Sequence, residues 1–181
     1  MKKLIVVTGD SGSGKTTLMH HLIKQLPDLF EKVVTYTSRK KRAGERDGVD
    51  YFFRDTKFFE ENKDLILVKL TESGVYYGTP LACVKTKNEK HLLLGSRPTA
   101  VSKLLQLGAE DVVAIHLSAS ESALRVRVNQ RNSCCENEKT ARSKWDEQYC
   151  ASDLCLVPNL HLNSEDSLET MTNQLLAFLS S

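Results

Sequence analysis

The sequence has little net charge, no long apolar run and no low-complexity tract. Its 25 basic and 23 acidic side chains leave a formal charge of +2 over 181 residues, too small for a broad field that attracts nucleic acid or a membrane surface. No apolar run approaches the ~20 residues that cross a bilayer. Gly9 and Asp10 follow the apolar start at residues 4–7, where a signal peptide would need a cleavage site. These absences predict a soluble, cytoplasmic protein that binds neither nucleic acid nor membrane.

The cysteines lack the spacing of a metal site or of a disulfide framework. There are five, no two are arranged as C-x-x-C, and none of the five histidines stands at metal-ligand spacing from them. We therefore expect reduced thiols, as is usual in the cytosol. They are Cys83, Cys134, Cys135, Cys150 and Cys155.

Short apolar runs alternate with helical patterns along the chain, which is typical of β-α units around a parallel sheet. The first run, residues 3–8, ends at Gly9, and a helical pattern over 15–26 ends before Pro27. Further strands are predicted at 32–37, 65–70, 75–77, 91–94, 112–117 and 154–157, and further helices over 101–107, from a cap at Ser118 or Ser120 through Val128, and over 164–179. No repeat or change in composition marks a second domain. The prediction is one α/β domain over residues 1–181, with a parallel core sheet flanked by helices.

A glycine-rich segment connects the first predicted strand to the first predicted helix. From Gly9 to Thr16 it reads Gly-Asp-Ser-Gly-Ser-Gly-Lys-Thr and matches G-x-x-x-x-G-K-[ST] at every fixed position. Glycines leave backbone N–H groups free to converge on phosphate oxygens, and the helix presents the positive end of its dipole to the same anion. Lys15 can bridge the β- and γ-phosphates, and the Thr16 hydroxyl can ligate Mg²⁺, the expected cofactor. The expected ATP-binding residues are Gly9, Ser11, Gly12, Ser13, Gly14, Lys15, Thr16 and Thr17.

A polar loop after the first helix carries Arg39 and Arg42, three residues apart, with Tyr51 further along. Charge-assisted, partly bidentate bonds from such arginines suit a phosphate monoester dianion. The loop, residues 35–51, resembles the acceptor loop of guanylate kinases in its hydroxyl, arginine, Gly-Glu, Gly and Asp-Tyr positions. The Val-Tyr-Tyr-Gly-Thr segment at 75–79 is also similar.

This resemblance implies a P-loop NTPase fold in three parts. The core would comprise residues 1–32, 82–124 and 146–181, the acceptor-binding β insert residues 33–81, and a helical lid residues 125–145. The family implies Arg39, Arg42, Tyr51 and Tyr77 as the acceptor-phosphate clamp, with Thr35, Glu45 and Thr79 also in the acceptor site.

Further arginines follow in the predicted lid. Arg127 and Arg131 are one helical turn apart, and Arg142 comes later; guanylate kinases are similar in carrying R-x-x-x-R and then another arginine here. Such cations neutralise charge that spreads over the equatorial oxygens during phosphoryl transfer. The expected catalytic residues are Lys15, Arg39, Arg127, Arg131 and Arg142.

The resemblance breaks where guanylate kinases read the guanine base. Val68 stands in place of a glutamate, and Gly95 and Arg97 stand in place of an acidic pair. The Gly95-Ser96-Arg97 stretch is similar instead to ribose 1,5-bisphosphate phosphokinase, where Arg97 would suit a second acceptor phosphate. Glu72 is a spare carboxylate that could partly replace the missing glutamate.

The motifs together predict a kinase that transfers the γ-phosphoryl of ATP to a phosphate monoester. GMP is the expected acceptor, ribose 1,5-bisphosphate is the alternative, and a non-catalytic guanylate-kinase-like binding module is a third reading. The intact P-loop disfavours that module, and the absence of an N-K-x-D-like motif disfavours a regulatory GTPase. The expected partners are small nucleotides, and the chain is expected to be a monomer or a homodimer.

Overall fold

The structure, a computed structural model, describes residues 2–62, 66–70, 74–85, 89–130 and 159–181. The strands are β1 (Leu4–Gly9), β2 (Phe30–Lys32), β3 (Tyr36–Thr37), β4 (Phe52–Phe53), β5 (Ile66–Leu70), β6 (Tyr76–Pro80), β7 (His91–Gly95), β8 (Val112–Ser118) and β9 (Leu160–Asn163). The helices are α1 (Lys15–Gln25), α2 (Thr56–Glu61), α3 (Ala82–Lys85), α4 (Pro98–Gln106), α5 (Glu121–Gln130) and α6 (Leu168–Ser180). Within these residues, no helix is long and apolar enough to cross a membrane.

The core sheet has the order β2-β7-β1-β8-β9, and every neighbouring pair is parallel. Its central strand β1 is buried on both faces because its side chains alternate between two apolar clusters. Ile5 packs in one cluster with Leu22 of α1 and Leu175 of α6. Val6 packs in the other with Leu104 of α4. The predicted parallel core sheet flanked by helices is therefore confirmed.

A second, smaller sheet has the order β4-β3-β6-β5. Strands β3 and β4 are parallel, whereas β6 is antiparallel to both β3 and β5. Aromatic rings pack against this sheet: Tyr36 stacks on Phe52 with centroids 4.9 Å apart, and the buried Phe59 of α2 stacks on Tyr76 at 5.2 Å. The sheet therefore has a small aromatic core of its own.

The single strand predicted at 32–37 is wrong. Its residues divide between the two sheets: Lys32 ends β2 beside Leu93 in the core sheet, whereas Thr37 lies in β3 beside Tyr77 in the second sheet. The predicted strand is thus two short strands. Each one pairs with a segment far away in the chain, β7 or β6, and the run itself carries no signal for that division.

The chain's C-terminal part departs from prediction in two places. The closing helix begins at Leu168 and not at 164, because Ser167 caps it by accepting a 3.0 Å hydrogen bond from the Thr170 amide. The strand predicted at 154–157 lies outside the described residues, and β9, which pairs with β8, was not predicted. Helix α5 is capped by Ser120, whose hydroxyl accepts from the Ala123 amide at 3.3 Å.

Candidate active site

The predicted phosphate loop connects the end of β1 to the start of α1, as its motif requires. Two of its glycines are needed for space as well as for backbone conformation. A Cβ on Gly9 (φ +134°) would lie 2.4 Å from the Leu117 carbonyl oxygen, and one on Gly12 (φ +91°) 3.0 Å from Val128 Cγ2. The loop is therefore packed tightly between β8 and α5.

The first turn of α1 is suited to an anion. It holds no acidic residue, and Gly14 at its N-cap offers no side-chain cap to the first amides. The Lys15 ammonium folds back over the loop and donates to the carbonyl oxygens of Gly9 (2.6 Å) and Asp10 (2.8 Å). Thr16 and Thr17 are exposed beside it. The loop and the first turn of α1 thus offer backbone amides, one ammonium and an exposed hydroxyl, a combination that suits a triphosphate.

Helix α5 brings one predicted cation to the phosphate loop. The β-carbon of Arg127 lies 3.7 Å from the position of a Cβ on Gly12, and its guanidinium donates to the hydroxyl (2.8 Å) and the carbonyl oxygen (2.9 Å) of Ser164. Arg127 therefore joins α5 to the turn between β9 and α6. The other predicted lid arginines, Arg131 and Arg142, lie outside the described residues.

In the acceptor loop, Glu45 is hydrogen-bonded to both predicted arginines, to the side chain of Arg39 and to the backbone amide of Arg42. Arg39 is buried, with 7% of its surface exposed. One of its guanidinium nitrogens donates a hydrogen bond to Glu45 Oε2 at 2.7 Å, and a second donates to Glu45 Oε1. Glu45 Oε2 also accepts from the Arg42 amide at 2.8 Å. Burial opposes the charge on Arg39, but the hydrogen bonds to Glu45 and the attraction of its negative charge together outweigh burial and raise the pKa of Arg39. Burial likewise opposes the charge on Glu45, yet Arg39 and the Arg42 amide hold its pKa below the usual value.

The predicted tyrosines lie against the same guanidinium. The Arg39 carbon Cζ is 5.0 Å from the centroid of the Tyr51 ring, and Tyr77 meets that ring edge-on at 6.2 Å. Arg39, Tyr51 and Tyr77 are therefore brought together, with Arg42 connected to them through Glu45.

Two of the remaining predicted acceptor residues, Thr35 and Thr79, lie in or beside the second sheet. The Thr35 carbonyl oxygen accepts from the Phe52 amide at 2.9 Å, and Thr79 is buried in β6 opposite Leu67. Val68 pairs with Gly78 in the same two strands. Arg97 lies apart from them, at the N-cap of α4. It directly follows Ser96, whose amide donates to the Val7 carbonyl oxygen at 3.1 Å, so Arg97 lies at the same edge of the core sheet as the phosphate loop.

Two residues of this region were missed by sequence reasoning. Thr37 is fully buried, donates its hydroxyl hydrogen to the Tyr76 carbonyl oxygen (3.2 Å) and accepts from the Arg39 amide (3.3 Å). Lys32 donates to two carbonyl oxygens of the acceptor loop. The sequence did offer a signal for Thr37, a hydroxyl two residues before the predicted clamp residue Arg39. It offered no signal for the Lys32 contacts, because their acceptors are backbone atoms.

Comparison with known proteins decides the family, because a family model described as guanylate kinase matches residues 1–180. The chain belongs to the guanylate kinase family. A guanylate kinase of Mycoplasmoides gallisepticum is 32% identical over 183 aligned positions, which cover 97% of this chain and 92% of that protein.

Solved structures agree on the fold. The crystal structure of a guanylate kinase from Anaplasma phagocytophilum, 21% identical, has a TM-score of 0.71 over 99% of this chain and 85% of that one. A gluconokinase from Sinorhizobium meliloti, 16% identical, has a TM-score of 0.54 over 98% of this chain and 91% of that one. The predicted guanylate kinase family membership and the α/β P-loop fold are thus confirmed.

Proposed function

We propose that this protein transfers the γ-phosphoryl group of ATP to GMP and so forms ADP and GDP. The observation that carries the proposal is the presence, in one chain of the guanylate kinase family, of an intact phosphate loop and of a cluster of Arg39, Tyr51 and Tyr77. The first suits the donor triphosphate, and the second suits the acceptor phosphate. Phosphoryl transfer needs mainly positioning and cations, which these two groups of residues supply.

On the donor side, the loop amides and the first turn of α1 hold the phosphates, with Gly9, Ser11, Gly12, Ser13, Gly14, Lys15, Thr16 and Thr17 as the binding set. Lys15 exchanges its contacts with the Gly9 and Asp10 carbonyl oxygens for phosphate oxygens. The exposed Thr16 hydroxyl fits Mg²⁺. The described residues contain no cluster of three acidic, histidine or cysteine side chains that could hold a metal alone, so the ion would arrive with the triphosphate. When bound, Mg²⁺ neutralises charge on the β- and γ-phosphates.

On the acceptor side, Arg39 and Arg42 hold the monophosphate with the hydroxyls of Tyr51 and Tyr77. Glu45 bonds to the Arg39 guanidinium and to the Arg42 backbone and so keeps these two residues close together. Thr35 and Thr79 lie in or beside the second sheet. Arg127, Arg131 and Arg142 add positive charge on the donor side as the γ-phosphoryl group moves. We assign the acceptor-binding role to residues 33–81 and the lid role to residues 125–145, of which the part beyond Gln130 lies outside the described residues.

Ribose 1,5-bisphosphate is the second candidate acceptor. Arg97 favours it, because this cation lies at the phosphate-loop edge of the core sheet, where it could hold a second acceptor phosphate. Val68, at the position of the expected base-reading carboxylate, favours it as well.

The test is a coupled assay of ADP release with GMP, dGMP, AMP, UMP, CMP and ribose 1,5-bisphosphate in parallel. The proposal expects GMP to have the highest kcat/KM. Val68→Glu should then lower the KM for GMP, since one restored carboxylate acceptor for the guanine N–H groups contributes about 1–3 kcal/mol to guanine binding. Fast turnover of ribose 1,5-bisphosphate that Arg97→Asp destroys, with GMP inert even for Val68→Glu, would overturn the proposal. No ADP release with any acceptor would instead indicate a non-catalytic binding module.

A further inference from the structure

Lys32 is a cation of the core sheet that reaches into the acceptor loop. It is the last residue of β2 and lies beside Leu93 of β7. Its ammonium donates to two consecutive backbone carbonyl oxygens, those of Val49 at 2.9 Å and Asp50 at 2.8 Å. The bonds join segments 17 and 18 residues apart, so they link two parts of the fold and not two neighbours in one turn.

The stretch that Lys32 contacts is the end of a tight turn. The amides of Val49 and Asp50 both donate to the Arg46 carbonyl oxygen, at 3.2 Å and 3.0 Å, and the Arg46 amide donates to the Asp50 carboxylate at 2.7 Å. A second group from the core lies beside it, since His20 of α1 is 3.9 Å from that carboxylate. The turn is therefore closed by its own bonds, and Lys32 joins it to the core sheet through two hydrogen bonds.

The residue after this turn is Tyr51, one of the proposed clamp residues. The Lys32 ammonium is 5.8 Å from the centroid of its ring, and the Arg39 guanidinium carbon is 5.0 Å from the same centroid. The Tyr51 carbonyl oxygen accepts from the Gly48 amide at 2.9 Å, so the backbone of Tyr51 is bonded to the turn. A displacement of the Val49 and Asp50 carbonyls would move Tyr51 relative to Arg39.

Charge also favours a defined role for this lysine. Its side chain is half-buried, and burial lowers the pKa of Lys32, although the carboxylates of Asp50 and Glu45 oppose that effect. A lysine at the edge of a sheet can place its ammonium in water at no such cost. Here the ammonium is instead directed to two carbonyl oxygens, which indicates that the contact is specific.

We propose that Lys32 is a positioning residue for the acceptor site, which holds the turn at residues 46–50 against the core and thereby fixes Tyr51 beside Arg39. Its effect on catalysis rests on the proposed transfer to GMP, whereas its effect on the loop does not. Lys32 acts through Tyr51 and need not touch the acceptor.

The test compares Lys32→Met, which keeps the apolar stem and removes the donors, with Lys32→Arg, which keeps donors and charge. Lys24→Met is the matched control, because Lys24 is an exposed lysine of α1. We expect Lys32→Met to raise the KM for GMP about tenfold, the factor of one lost charge-assisted hydrogen bond, and to leave the KM for ATP unchanged. Lys32→Arg should recover most of the loss, and the control should match the wild type. An unchanged KM for GMP, or an equal rise in both KM values, would overturn the proposal.

A double-mutant cycle separates positioning from general destabilisation. If Lys32 acts by placing Tyr51, then Lys32→Met should cost much less in a Tyr51→Phe background than in the wild type. Additive effects on the KM for GMP would show that Lys32 does not act through Tyr51 and would overturn the proposal.

Hydrogen–deuterium exchange of the ligand-free protein tests the loop without any substrate. Peptides that cover residues 46–53 should exchange faster in Lys32→Met than in the wild type, while β1 and β7 stay protected. If wild-type protein does not phosphorylate GMP, the proposed function fails, and this comparison alone decides whether Lys32 holds the loop. Unchanged exchange in that segment would overturn the proposal.

Discussion

At the scale of single residues, the two proposed phosphate sites are organised differently. In the acceptor loop, one carboxylate, Glu45, accepts from the guanidinium of Arg39 and from the amide of Arg42. In the phosphate loop, the Lys15 ammonium donates to backbone oxygens. The guanidinium of Arg39 is thus held by an ion pair whose strength depends on pH, whereas the Lys15 ammonium is held by neutral groups.

Lys15→Ala should abolish transfer and leave the fold intact. Lys15 lies at the loop end of α1, outside both apolar clusters, so its stem stabilises little. Loss of a cation that stabilises the transition state should lower kcat on the order of 100-fold or more. Steady-state kinetics and a thermal melt measure both quantities; a variant with most of the wild-type kcat and an unchanged Tm would refute the role of Lys15.

Glu45→Gln should change how stability depends on pH. Because the folded-state pKa of Glu45 lies below that of an unfolded glutamate, about 4.3, its ion pair stabilises the fold above that pH. This stabilisation is lost as the pH falls through the lowered folded-state pKa. The wild type should therefore unfold at higher urea than the variant at pH 7, and the difference should shrink at pH 4 and below. Glu31→Gln is the control, because Glu31 is exposed on β2. A difference in unfolding midpoint between wild type and Glu45→Gln that is equal at both pH values would contradict the prediction.

At the scale of elements, α5 is packed directly on the phosphate loop. The Leu124 carbonyl oxygen and the Val128 side chain would lie 3.3 Å and 3.0 Å from a Cβ on Gly12, so a side chain there fits only if α5 shifts by a few tenths of an ångström. The hydrogen bonds from Arg127 to Ser164 join α5 to the turn between β9 and α6. The shape of the donor site therefore depends on where α5 lies.

Gly12→Ala should weaken ATP binding by displacing α5. Gly108→Ala is a matched control: both glycines have positive φ, +91° and +81°, but a Cβ on Gly108 meets nothing within 4 Å. Both substitutions should carry a backbone cost of about 1–2 kcal/mol, seen as a lower Tm. Only Gly12→Ala should raise the KM for ATP. Equal KM values in the two variants would show that the contact with α5 does not shape the donor site.

The sequence predicted the features whose signal lies within one short segment of the chain, and it missed those that depend on distant segments. Strand β1, helix α1 and the phosphate loop were predicted because a buried run, a helical pattern and a spaced motif lie within 26 residues. The division of the 32–37 run between two sheets was missed, because Tyr77, the partner of Thr37, is 40 residues away in the chain. The Arg39 cluster was found through its motif. The contacts of Lys32 were not, since carbonyl oxygens have no signature in a sequence.

At the scale of the whole molecule, the proposed donor and acceptor residues are on different sheets. The phosphate loop follows a strand of the core sheet, whereas Arg39, Tyr51 and Tyr77 lie on or beside the second sheet. Phosphoryl transfer needs the two phosphates in line and in contact. Binding of both substrates should therefore bring the two sheets closer together.

We expect this closure to be measurable in solution. Residues 33–81 and 125–145 should move toward the phosphate loop when a bisubstrate analogue binds, because kinases of this kind exclude water before transfer. Small-angle X-ray scattering should show a smaller radius of gyration with the analogue than without it. ATP alone is the control, since it occupies only the donor side; the same radius in all three states would contradict closure.

The route of the chain between β2 and β7 also bears on how such proteins diversify. Lys32 ends β2 beside Leu93, only two residues after β7 begins at His91. The second sheet is thus an excursion that leaves and rejoins the core between two adjacent strands. A lineage can lengthen, shorten or replace that excursion without altering the order of the core sheet. A change in that one segment can therefore alter the acceptor-side loop while the phosphate loop on the core sheet stays as it is.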